Sequence, residues 1–176
     1  MFEAVRNAAA AGMRGIGLMD NFSNTSGYAA LARRELGHLG VEVFGGLIME
    51  PPAGGISAEV VRIALGYGYR ASEGARFISL PTHHTRNIAR HEGRSPIYIE
   101  ACLEIPETAD LSDELLTILD LIASHDAVLN TGHISGKEAI RIVEIARARG
   151  VNRILVPSSY YTPDEVREIT TLGAKT

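Results

Sequence analysis

A single cysteine, Cys102, stands in this chain of 176 residues. One thiol allows no intramolecular disulfide, so the fold rests on its core and suits a reducing, cytoplasmic setting. Cys102 lies in the apolar run Ile97-Tyr98-Ile99-Glu100-Ala101-Cys102-Leu103 and reads as core rather than as a nucleophile. Tryptophan is absent and aromatics make up only 6% of the residues, which argues against a base-stacking platform. The net charge is -4 and the basic residues are scattered, so no nucleic-acid footprint is present. No run approaches the ~20 apolar residues of a membrane span, and Met1-Phe2-Glu3-Ala4-Val5-Arg6 lacks the basic-then-apolar order of a signal peptide.

Familiar nucleotide and nucleophile motifs are missing too. Gly132 to Glu138 spells G-x-x-x-G-K-E, one residue short of a phosphate loop and without the hydroxyl that would meet magnesium. No G-x-G-x-x-G follows a strand, and no G-x-S-x-G elbow is present.

What is present is ordinary in amount, 45% hydrophobic and 22% charged, and regular in order. A helix over Phe2 to Ala11 ends at Gly12, and Arg14 to Met19 is a strand running into Asp20-Asn21. Asn24-Thr25-Ser26 caps a helix from Tyr28 to Leu36. Val41 to Met49 is one strand ending at Glu50, and Ser57 caps a helix to about Tyr67. Ala75 to Leu80 is a strand, and Pro81 to Ser95 is the longest irregular stretch. Pro96 to Leu103 reads as extended, outside the main sheet. Asp113 to His125 is an amphipathic helix and Ala127 to Leu129 a buried strand. Ser135-Gly136-Lys137-Glu138 is a capping box opening a helix to Arg149. Val151 to Val156 is the last strand, and Thr162-Pro163-Asp164-Glu165 is a second capping box with proline at the first helical position, opening a helix to Leu172.

Alternating strands and helices with short connections imply a parallel sheet with right-handed crossovers, closed as an open doubly wound sheet or as a (β/α)8 barrel. Residues 1–176 read as one α/β domain. Its start in a helix and its stop before a strand favour a partial (β/α)8 TIM-type barrel lacking its first and last strands, because a full barrel takes about 200 residues or more. Open sheet edges then imply self-association or a partner.

The polar groups collect at the carboxyl ends of the strands, where α/β folds bind ligands. Asp20 and Asn21 close the first strand, Glu50 the second, and Thr82, His83 and His84 the third. Thr131 and His133 close the fourth, and Ser158, Ser159 and Tyr160 the fifth. His133, between a glycine and a capped helix, is a candidate ligand or catalytic group. Of His83 and His84 at most one faces the site, since adjacent side chains on extended backbone point opposite ways. Arg86 and Asn87 are candidate anion or carbonyl contacts. His38 and His125 are placed for the helix dipole.

Together, Thr131-Gly132-His133-Ile134-Ser135, Val43-Phe44-Gly45-Gly46-Leu47 and Leu80-Pro81-Thr82 resemble a family of amidohydrolase-like proteins. These are metal-dependent hydrolase relatives built as a (β/α) barrel, in which T-G-H-[LI]-S closes a middle strand. The resemblance implies a divalent metal, zinc by preference, activating water for attack on the carbonyl or phosphoryl centre of a small molecule. It implies metal ligation by His133, while the roles of His83 and His84 do not carry over from the relatives. From their places at the strand ends His83 is the candidate second metal ligand, Asp20 and His84 are candidate catalytic groups, and Asn21, Glu50, Arg86, Asn87 and Ser158 candidate substrate contacts. The family's opening H-x-H strand is absent, and the histidines expected at Met19-Asp20-Asn21-Phe22 and at Val156-Pro157-Ser158-Ser159 are replaced. The alternative reading is a metal-free α/β module that binds a small ligand or a protein partner without catalysis.

Overall fold

The computed structural model describes residues 1–66 and 73–176. Its strands are β1 (Gly15–Gly17), β2 (Glu42–Phe44), β3 (Gly46–Ile48), β4 (Phe77–Ser79), β5 (Val128–Asn130) and β6 (Arg153–Leu155). The helices are α1 (Phe2–Ala10), α2 (Ser26–Leu36), α3 (Ala58–Gly66), α4 (Arg86–His91), α5 (Pro96–Ala101), α6 (Asp113–Ser124), α7 (Gly136–Ala148) and α8 (Pro163–Thr171). All strand pairs are parallel, with β1 on β2 and a second sheet in the order β3-β4-β5-β6. Lys175 adds a parallel bridge to Leu155. The parallel α/β expectation is met. Among the described residues no helix is long and apolar enough to cross a membrane.

The register explains the layering. Leu47, Ile78, Leu129 and Ile154 lie side by side across four strands and are all buried. They form one core with Val61 of α3, Ile118 and Ile122 of α6, and Ile142 and Val143 of α7. Because side chains alternate along a strand, the neighbouring rows face the other way. There Phe44, Phe77, Val128, Asn130 and Leu155 line an open trough of about 340 Å³.

Val41 to Met49 is two strands rather than one, and Gly45 is the reason. A Cβ on Gly45 would run into the backbone of Thr25 and Ser26, so α2 packs directly against the chain there. Thr25 then replaces a neighbouring strand: its hydroxyl donates to Leu18 O at 2.6 Å, and Gly46 N donates to that hydroxyl at 2.9 Å. Thr25 is therefore the α2 N-cap without a side-chain capping bond, and within the expected Asn24-Thr25-Ser26 cap it is Asn24 Oδ1 that accepts from Ser26 N, at 2.9 Å.

Two further expectations are corrected. Pro96 to Leu103 is not extended, for Ser95 Oγ caps α5 at Tyr98 N and Pro96 takes the first helical position. The stretch from Pro81 to Ser95 contains α4, capped by Thr85 Oγ1 at Ile88 N. Both expected capping boxes, Ser135 with Glu138 and Thr162 with Glu165, are formed. The end of the helix expected near Tyr67 lies outside the described residues.

Candidate functional site

Glu50 follows β3 at its carboxyl end and is only 4% exposed. Its carboxylate meets the turn that follows β4. Oε1 accepts from Thr82 N at 2.7 Å and His83 N at 2.5 Å, and Oε2 accepts from His84 N at 3.2 Å. A buried charge needs such a set of donors, since losing its water is costly. Glu50 therefore holds the β4 turn. Its expected substrate contact becomes a structural anchor.

The anchored turn presents His83. Thr82 Oγ1 lies 3.0 Å from Glu50 Oε1, 3.0 Å from Asn21 Oδ1 and 3.0 Å from His83 Nδ1. Asn21 Nδ2 is 3.2 Å from the same Nδ1, so the ends of β1, β3 and β4 are joined through one threonine. The His83 side chain is 59% exposed and its Nδ1 is 3.9 Å from Glu50 Oε1.

His133 comes from the next strand end, after β5. Gly132 has φ of 62°, and a Cβ there would collide with the carbonyl oxygens of Leu80 and Pro81. Asn130 Oδ1 accepts from Gly132 N at 2.9 Å, and His133 N donates to Pro81 O at 3.1 Å. The His133 carbonyl accepts from Thr85 Oγ1 at 3.0 Å and Asn87 Nδ2 at 3.2 Å. The β5 turn is thus bolted to the β4 turn, and the backbone that carries the half-buried imidazole is held at both its N–H and its carbonyl. Its pKa lies below the ordinary 6.5, first because burial disfavours the imidazolium and second because of nearby His83, with Glu50 opposing. The imidazole is neutral at pH 7.

The other candidates fall elsewhere. The Asp20 oxygens accept from Ser23 Oγ at 2.7 Å and Phe22 N at 3.0 Å, and these bonds, Ser23 first, lower its pKa. Asp20 closes its own turn. The His84 ring lies edge-on to Tyr98, centroids 5.7 Å apart, on the side of α5. Arg86 pairs with Glu104 at 2.5 Å and donates to Glu100 O at 3.4 Å. Asn87 acts through the His133 backbone, and no side-chain hydrogen bond ties Ser158 to the cluster among the described residues. Cys102 is buried, which raises its thiol pKa, and its Sγ lies 3.2 Å from Tyr98 O.

Two threonines tie these turns together: Thr82, which the sequence places at a strand end without a role, and Thr85, which it does not single out. The T-H-H-T run around the histidines is their visible trace, but the partners, Glu50 and His133, lie 32 and 48 residues away.

The resembled family's chemistry calls for a divalent metal. Among the described residues no group of three or more His, Cys, Asp or Glu side chains is placed to hold one. His83 and His133 are two donors, and Glu50 is taken up by backbone N–H groups. A catalytic zinc site takes three protein ligands, and the residues present do not make that set.

No curated protein and no solved structure matches the chain. The model of a family described as "Family of unknown function (DUF6282)" matches residues 1–176, and the chain belongs to that family.

Proposed function

We propose that the carboxyl ends of β1, β3, β4 and β5 form a small-molecule site of hydrolase type. Its chemistry is hydrolysis of a carbonyl or phosphoryl centre, with His133 as proton acceptor. The observation that carries this reading is a half-buried imidazole, His133, on a turn bonded through its backbone to the turn that carries a second imidazole, His83, at the neighbouring strand end. A neutral imidazole accepts a proton from an attacking water at pH 7 and returns it to the leaving group, work usually worth about 10²–10⁴ in rate. The reading takes no step through a metal.

The setting supports it. Consecutive strands run parallel, helices cover one face, and the polar cluster sits on the carboxyl edge, as in a sector of a (β/α)8 barrel. We place the chain in the cytoplasm, where its one buried thiol needs no partner, and its uncovered sheet face suits a homo-oligomer.

The test is a panel of carboxyl esters, amides and phosphomonoesters, run on wild type and His133→Ala beside elemental analysis of both. Turnover that falls at least about 100-fold in His133→Ala, with no bound metal in either, supports the proposal. Near-stoichiometric zinc that disappears on substitution would replace it with the metal-dependent mechanism of the resembled family.

A second reading, ligand binding without catalysis, is favoured by the engagement of Asp20 in its own turn and of the His84 ring with Tyr98. Wild type that binds a carboxylate product yet turns over nothing on the panel would decide for it.

A further inference from the structure

We infer that Glu50 and Thr82 set the tautomer of His83, holding its proton on Nδ1 and presenting the Nε2 lone pair outward. The inference rests on the proposed site and gives its second imidazole a defined chemical state.

The argument is a count of protons around Thr82 Oγ1. Both Glu50 oxygens face backbone N–H donors, Oε1 those of Thr82 and His83 and Oε2 that of His84. A protonated oxygen would point its hydrogen at those donors, so the group is a carboxylate and only accepts. Thr82 Oγ1 is 3.0 Å from Oε1, and two oxygen lone pairs do not face each other at that distance in a buried place. The single Thr82 hydroxyl hydrogen therefore goes to Glu50.

What remains on Thr82 Oγ1 is lone pairs, and one faces His83 Nδ1 at 3.0 Å. A pyridine-type Nδ1 would set lone pair against lone pair, so Nδ1 carries the hydrogen and donates it to Thr82. The Asn21 carboxamide follows, turning its nitrogen to Thr82 and its oxygen to Nδ1. Its two orientations fill the same space, and the 3.0 Å and 3.2 Å separations suit either. Each polar atom then has a complementary partner.

The consequence is chemical. In the neutral ring the nitrogen without hydrogen is the one that accepts a proton or binds a Lewis acid. With Nδ1 committed, Nε2 of the largely exposed His83 side chain is that atom. Glu50 and Thr82 are positioning residues, acting through His83 without touching substrate.

The test is long-range ¹H–¹⁵N correlation of histidine rings in the full chain at about pH 8, above the ordinary imidazole range. His83 is assigned by the signal lost in His83→Gln. Wild type is expected to show a protonated Nδ1 and a pyridine-type Nε2. Thr82→Val is expected to reverse the pattern, and Thr82→Ser, which keeps the hydroxyl, to retain it. A protonated Nε2 in wild type overturns the inference even if no variant folds, and so does an unchanged pattern in folded Thr82→Val. The proposed hydrolysis is judged by the His133→Ala assay, so the two fail separately.

Discussion

Replacing Gly132 with alanine sets a methyl group against two backbone carbonyls and forces a left-handed conformation that side chains with a Cβ rarely adopt. The turn must open, and His133 moves with it. Gly132→Ala should destabilise by roughly 1–3 kcal/mol, read as a lower urea midpoint. His133 itself makes a pH prediction. Its folded pKa is depressed, so neutral His133 favours the folded state and the unfolded chain takes up the proton first. Stability from this group is complete above the unfolded value of 6.5 and is lost as pH falls below it, until the folded ring also protonates. Urea midpoints from pH 8 to pH 5 should fall with pH in wild type and less steeply in His133→Gln. Equal slopes would show that the imidazole is not held neutral by the fold.

Elements differ in how openly the sequence announces them. The α7 and α8 starts are spelled in four consecutive residues each, and a capping box works through its own backbone, so both were legible. Ser135→Ala should cost about 1 kcal/mol, within the range for losing a side-chain cap, and the urea midpoint reads it directly. The α5 helix is hidden in the sequence because its apolar residues run consecutively and bury no stripe. Ile97 is 82% exposed, so hydrophobic periodicity had nothing to report, and only the Ser95-Pro96 start marked the helix. The division of Val41 to Met49 was hidden because it depends on where α2 packs. The site was legible in part for the same reason. That polar residues gather at strand ends follows from the β/α rhythm, but the lock of Glu50 on the β4 turn depends on a register between distant segments. Thr85 shows the coupling of element to site: it is fully buried, caps α4 and donates to the His133 carbonyl. Thr85→Val should therefore lower the urea midpoint and shift the His133 ring resonances together. A lower midpoint with the His133 resonances unmoved would make Thr85 a cap alone.

Across the whole molecule the two faces of the parallel strands are treated unequally. Parallel sheets occur almost only with both faces covered, and here α3, α6 and α7 cover one. Among the described residues the other lines the open trough, with Phe44 36% and Leu155 42% exposed on it. Removing apolar area from water is worth roughly 25 cal/mol per Å², so this face gains by meeting another protein surface. Purified chain should self-associate with rising concentration in sedimentation experiments and bind a fluorescent apolar dye. Leu155 and Phe44 lie on the exposed side of their strands, so a charge there spares the helix-side core. Leu155→Lys and Phe44→Lys should accordingly leave the helical circular dichroism intact while shifting the chain toward monomer and weakening dye binding. A wild type that stays monomeric at every concentration and leaves the dye dark would mean that the trough is closed in solution. Monomeric chain that binds the dye would instead mean that the trough stays open and that this face does not drive association.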